Sequence, residues 1–171
     1  MADERVARLE DFIRPKDPQG SAVLEGRDYV VRFSTLGAPQ ELRIQEGPPG
    51  SWTLSYSART PDAAGRWFLE SRAVWFPEHG GCRKVKFAPL DERYKLFASD
   101  EPYFRSIFEA RELSDAFLRL PADDHLKASL KDATVSVAWK ARDAELLPCA
   151  DAMSVLGALC FKHVRLATLK T

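Results

Sequence analysis

His79-Gly80-Gly81-Cys82 sets an imidazole three residues before a thiol. An imidazole can serve as base to a thiol nucleophile, which is the chemistry of a thiol-dependent enzyme. His and Cys can equally open a zinc site, but a structural site needs four ligands. The other cysteines, Cys149 and Cys160, lie 11 residues apart on an expected helix. Two adjacent glycines also suit a plain reversal between strands, because Gly adopts the positive φ that such turns require. The turn is the reading we adopt. Asp123-Asp124-His125 offers an acid/base pair with a charge partner. It follows Pro121 between a helix and a strand, where Asp is a habitual loop residue. Asp91-Glu92 and Asp100-Glu101 are adjacent acids that do not converge on one atom, and Asp100 is expected to cap a helix.

Other catalytic frames are missing. There is no GxGxxG or GxxxxGK[ST] phosphate loop and no GxSxG serine elbow. Gly47-Pro48-Pro49-Gly50 has two glycines, but its prolines remove the amides a phosphate loop would offer. The expectation is a non-enzymatic protein with no cofactor, no metal and no catalytic residue.

Arg83, Lys84 and Lys86, with Arg59, Arg66 and Arg72 on neighbouring strands, can make a basic stripe beside Trp52, Trp67 and Trp75. Single-strand binders use such a combination. Trp52 shares its strand face with Leu54, however, and reads as core. Twenty-five Lys and Arg offset 25 Asp and Glu, so no nucleic-acid partner is expected. Trp67-Phe68-Leu69 and Trp75-Phe76 would place aromatics on both faces of one strand. The candidate interaction surface is therefore Phe68, Trp75, Phe76, Arg83 and Lys84, an apolar patch with basic neighbours.

These side chains are positioned by a chain of 171 residues with 45% hydrophobic positions. A globular protein of this size hides roughly 70% of the surface its unfolded chain exposes. That suffices for one core. Val6, Leu9 and Ile13 mark a helical face over about Asp3–Ile13, stopped at Arg14-Pro15. Lys16–Ser21 reads as a connector. Strands follow at Asp28–Thr35, Glu41–Gln45, Ser51–Arg59, Trp67–Phe76 and Cys82–Phe87, joined by short turns that favour an antiparallel meander. Ser51–Arg59 alternates strictly, with Trp52, Leu54, Tyr56 and Ala58 on one face. Tyr94–Ser99 is a further strand, then short helices at about Pro102–Phe108 and Ala110–Leu120. Lys127–Lys140 is a hairpin turning near Asp132-Ala133, and a helix over about Pro148–Ala167 closes the chain.

Residues 90–140 resemble the C-terminal part of an uncharacterised bacterial domain family of unknown function, often found with membrane anchors. The features that carry this are Leu90-Asp91, the strand Tyr94–Ser99 ending in Ser99-Asp100, and the apolar positions Phe104, Ile107, Phe108, Leu113, Phe117 and Leu118. Leu130 and the strand Val135–Trp139 complete it. The resemblance brings no catalytic residues with it.

The fold class expected is α+β: a predominantly antiparallel sheet, an N-terminal helix, two short helices after the central strands and a C-terminal helix packed on the sheet. One domain spans 1–171, with helix 1–15 separable from 22–171. Neither a secretory leader nor a membrane-spanning segment of about 20 uncharged residues is seen. The three cysteines read as free thiols in a reducing, cytoplasmic setting. The function expected is a protein–protein interaction module acting through the sheet or the first helix, with a protein partner or self-association. The alternative is a small-molecule or lipid carrier with a pocket between sheet and C-terminal helix, lined by Trp67, Phe117, Met153 and Leu156.

Overall fold

The computed structural model describes residues 3–35, 38–48, 51–59, 65–73, 79–109, 111–119 and 126–142. Helix α1 (Glu4–Ile13) starts at Asp3, whose side chain accepts from Arg5 N at 2.9 Å, and buries Leu9 and Ile13. Arg14 keeps helical backbone (φ −51°, ψ −40°) although it precedes Pro15, its N–H donating to Glu10 O. The helix stops because Pro15 has no N–H to continue the ladder.

Among the described residues nine strands form one sheet: β1 (Ser21–Glu25), β2 (Asp28–Thr35), β3 (Ala38–Glu46), β4 (Ser51–Arg59), β5 (Trp67–Ser71), β6 (Arg83–Val85), β7 (Tyr94–Ala98), β8 (Lys127–Lys131) and β9 (Thr134–Arg142). All pairs are antiparallel. Short helices α2 (Leu90–Arg93), α3 (Glu101–Phe108) and α4 (Arg111–Arg119) complete the described architecture. The α+β class and the dominance of antiparallel pairing are as the sequence implied. The expected C-terminal helix, 148–167, lies outside the described residues.

Several elements differ from expectation. The segment after the connector is a strand, β1, closed onto β2 by Gly26-Arg27; Gly26 has φ +66° at the first loop position, which matches a type II′ turn. The strand expected over 67–76 ends at Ser71, and Arg72-Ala73 form a turn. The strand expected over 82–87 shrinks to three residues, because Cys82 N–H donates to His79 O (2.9 Å) and closes a turn with Gly81 at φ +79°. That positive φ at the third position is the type II signature. Leu90-Asp91 opens a helical turn, α2.

The meander holds only for β1 to β4. The sheet order is β1-β2-β3-β4-β9-β8-β5-β7-β6, so the last hairpin enters between β4 and β5. β4 and β9 pair along their whole length, from Ser51↔Arg142 to Arg59↔Thr134. Register explains why this insertion is stable. One row, Ala22-Val31-Leu42-Tyr56-Val137-Ala128-Leu69-Leu96-Val85, runs across all nine strands, and every member is buried. Each fully buried Val or Leu contributes roughly 1.5–3 kcal/mol. A slip of one residue would exchange that row for its polar neighbour, so the register is strongly specified.

Helices cover this apolar face from both ends. α1 packs on β1 and β2. Towards β5 and β7, Trp67 meets Phe104 and Phe108 edge-on, with centroids 6.3 and 5.2 Å apart. Phe104 stacks on Phe108 at 4.6 Å, and Tyr94 Oη donates to Phe117 O at 2.7 Å.

Candidate functional site

The opposite face of the sheet is built by the same alternation. Its central row reads Ser21-Arg32-Glu41-Ser57-Ser136-Ser129-Phe68-Phe97-Lys84. Towards β1 the row is charged: Arg32 Nη2 meets Glu25 at 2.8 Å and its Nε meets Glu41 at 3.0 Å. These acids raise the Arg32 guanidinium above its ordinary value. A groove of about 530 Å³ opens beside them, with Asp17, Ser34, Ser57 and Arg59 in its lining.

Towards β7 the same face is aromatic. His79 stacks on Phe68 at 4.0 Å and leans on Phe97 at 4.8 Å, while its Nε2 lies 2.8 Å from Glu70 Oε1. Glu70 is 4% exposed and sits in register between Lys127 and Lys95. The imidazole is thus engaged by a carboxylate and two rings. Cys82 points elsewhere: its Sγ is 3.9 Å from Arg66 O, and burial pushes its thiol up, with Arg66 pulling weakly the other way. This arrangement makes a reluctant nucleophile, since the thiolate is the reactive form.

The sequence-derived interaction residues separate. Phe68 is half-buried under His79; Arg83 and Lys84 are exposed on the edge strand β6; Trp75 and Phe76 lie outside the described residues. The expected basic stripe is broken, because β9 and β8 stand between β4, which carries Arg59, and β5, which Arg66 precedes. Arg72 is past the end of β5, and its Nη2 donates to Asp91 O. Trp67 is fully buried, and Trp52 packs on the core with the Arg5 guanidinium 5.2 Å from its ring. Asp100 caps α3, its Oδ1 accepting from Tyr103 N at 2.9 Å. Of the expected carrier lining, Trp67 and Phe117 are fully buried among aromatic rings. Met153 and Leu156 lie outside the described residues, as do Asp123, Asp124, His125, Cys149 and Cys160. Among the described residues no group of His, Cys, Asp or Glu could hold a metal ion, and no helix is long and apolar enough to cross a membrane.

The feature that sequence reasoning missed is the outer edge of β1. Among the described residues, the exposed large apolar side chains are Val23 (37%) and Leu24 (47%), both on this edge strand. The two-residue loop makes Glu25 and Asp28 the hydrogen-bonded end pair of the hairpin. By alternation, the N–H and C=O of Ala22 and Leu24 then point away from β2; Ala22 is only 2% exposed, so the accessible part of this edge is Val23–Glu25. The signal was present as Ala22-Val23-Leu24 followed by a glycine loop, within reach of the β-branched run of β2.

No protein-family model, no curated protein and no solved structure matches this chain.

Proposed function

We propose that this protein is a protein-binding module that captures an extended strand along β1. The observation that carries this reading is the contrast between the two sheet edges. Natural sheets blunt an edge by shortening it, charging it with Lys or placing Pro there. β6 has three residues and bears Arg83 and Lys84. β1 has five residues, with no Pro, Lys or Arg, and presents Val23 and Leu24. A partner strand would gain main-chain hydrogen bonds from Leu24 and apolar cover from the exposed Val23 and Leu24 side chains. The apolar face of α1 is spent on its own sheet, where Leu9 and Ile13 are buried, which leaves the edge as the better binding element.

The test is site-specific photo-crosslinking in the native cell, with the reactive side chain placed at position 24 or position 84. Protein adducts from position 24 are expected. Adducts from position 84 with none from position 24 would overturn the assignment to β1.

A second reading, a small-molecule carrier, draws on the groove of about 530 Å³, a volume within the range of ligand pockets. Its charged and hydroxyl lining suits a polar, hydroxylated ligand rather than a lipid. Loss of biological function in Ser57→Trp, with function intact in Leu24→Pro, would favour the carrier over strand capture.

A further inference from the structure

We infer that the groove on the second face of the sheet binds a hydroxylated small-molecule anion, a sugar acid or a sugar phosphate, whose charged group is received by Arg59. This rests on the reading of that groove as a ligand pocket and is independent of strand capture at β1. The groove lies over two adjacent rows of the second face. One row carries Arg32, Glu41 and Ser57, and the other carries Ser34 and Arg59. Asp17, from the connector before β1, closes the β2 end.

Most of the charge in this lining is already answered. Arg32 is taken by Glu25 at 2.8 Å and Glu41 at 3.0 Å, and Glu41 Oε1 also accepts from Arg43 Nε at 2.7 Å. Arg59 differs. It is exposed, and among the described residues its guanidinium has neither an ion-pair nor a hydrogen-bond partner. Such a group offers parallel N–H donors that match a carboxylate or a phosphate. The other end of the groove has the opposite character. Each Asp17 carboxylate oxygen accepts one backbone N–H, from Gln19 at 2.9 Å and from Ser34 at 2.7 Å. Each keeps a further lone pair for a ligand hydroxyl. The hydroxyls of Ser34 and Ser57 have no partner among the described residues, and each can donate as well as accept. Ser34 on β2 and Arg59 on β4 are two strands apart, roughly 10 Å at the usual strand spacing. A ligand that engages all of these groups carries an anion at one end and hydroxyls towards the other. A hexose with a terminal carboxylate or phosphate has that order of groups. A neutral sugar forgoes the charged contact, and an apolar ligand would bury the hydroxyls and Asp17 without partners.

Calorimetric titration of the purified full-length chain with glucuronate, glucose 6-phosphate and glucose tests the inference. At least one anion is expected to bind about tenfold or more tightly than glucose, the scale of one charged hydrogen bond. Which anion binds distinguishes a carboxylate ligand from a phosphate one. Arg59→Gln is expected to bring the anion down to the affinity of glucose. Ser57→Trp, which fills the groove, is expected to abolish binding. Should Ser57→Trp fail to fold, Arg59→Glu serves instead, since it sets a carboxylate where the ligand's anion would sit. A preference for the anion that survives Arg59→Gln, or binding that survives Ser57→Trp or Arg59→Glu, overturns the inference by placing the ligand elsewhere. Glucose bound as tightly as both anions, and lost in Ser57→Trp, overturns the anionic assignment while the groove stands as a ligand pocket. If none of the three binds at millimolar concentration, the inference and the pocket reading both fall.

Discussion

His79 Nε2 lies 2.8 Å from Glu70 Oε1, while the face of its ring rests on Phe68. Glu70 is almost completely buried, so the pair is more than a surface contact. It holds His79 against that strand at the aromatic end of the sheet's second face. A histidine that looked like half of a catalytic pair is here a structural clamp.

Coupling between these two side chains should therefore be measurable. In a double-mutant cycle with Glu70→Gln and His79→Phe, we expect an interaction free energy of about 1 kcal/mol. His79→Phe preserves the stack on Phe68, so the cycle isolates the polar contact. Strict additivity in denaturant midpoints would show that the 2.8 Å approach contributes nothing.

The turn of the β8–β9 hairpin carries avoidable strain. Asp132 and Ala133 both have positive φ, 50° and 55°, the type I′ pattern. A residue with a Cβ in this region costs about 1–2 kcal/mol, whereas Gly adopts it freely. Ala133→Gly creates the favoured Asp-Gly turn and should stabilise the protein by about 1 kcal/mol, raising Tm by roughly 2–4 °C. An unchanged or lower Tm would contradict the turn assignment.

Cys82 should react slowly with alkylating agents. Burial raises its thiol above the ordinary value, so less thiolate is present at neutral pH than in a free cysteine. With Cys149 and Cys160 replaced by Ser, the iodoacetamide rate at mildly alkaline pH should fall below that of a model peptide thiol. A faster rate would revive the thiol-enzyme reading.

Alkaline pH should weaken the fold through Tyr103. Its phenol is pushed up to about 12 by burial first and by the Asp100 carboxylate second. The folded state holds that proton more tightly than the unfolded chain, whose phenol titrates near 10. Its contribution is therefore whole below pH 10 and is lost as pH rises towards about 12. An ultraviolet titration should show a phenolate component near that upper value, absent in Tyr103→Phe. The same variant should lose part of its stability change across that interval.

Local structure was largely legible in the residues. Strict alternation placed β4 at Ser51–Arg59, and a short β-branched run placed β2 at Asp28–Thr35. Asp100 announced α3, and Asp132-Ala133 marked the last hairpin turn. β1 escaped because three apolar residues beside a Pro/Gly connector do not show a period. The length of β5 was misjudged for a related reason: Trp75 and Phe76 continue the aromatic composition of a strand, and composition does not register where pairing ends.

The site was less legible. The residues that looked chemically suggestive, His79 and Cys82, are neighbours in sequence but point to different partners, Glu70 and the Arg66 carbonyl. Their spacing could not reveal this, because side-chain direction at a glycine turn depends on which strand lies alongside.

The sequence alone determined the α+β class, most of the strand and helix positions and the missing catalytic frames. These follow from short-range physics: hydrophobic period, capping and turn chemistry act within a few residues. Only the tertiary structure decided that β9 and β8 separate β4 from β5, and hence that β1 and β6 are the outermost strands among the described residues. Strand order is set by long-range burial, where the nine-membered apolar row is completed only if the last hairpin enters the middle of the sheet. Which strands lie outermost is a consequence of that order and of nothing local.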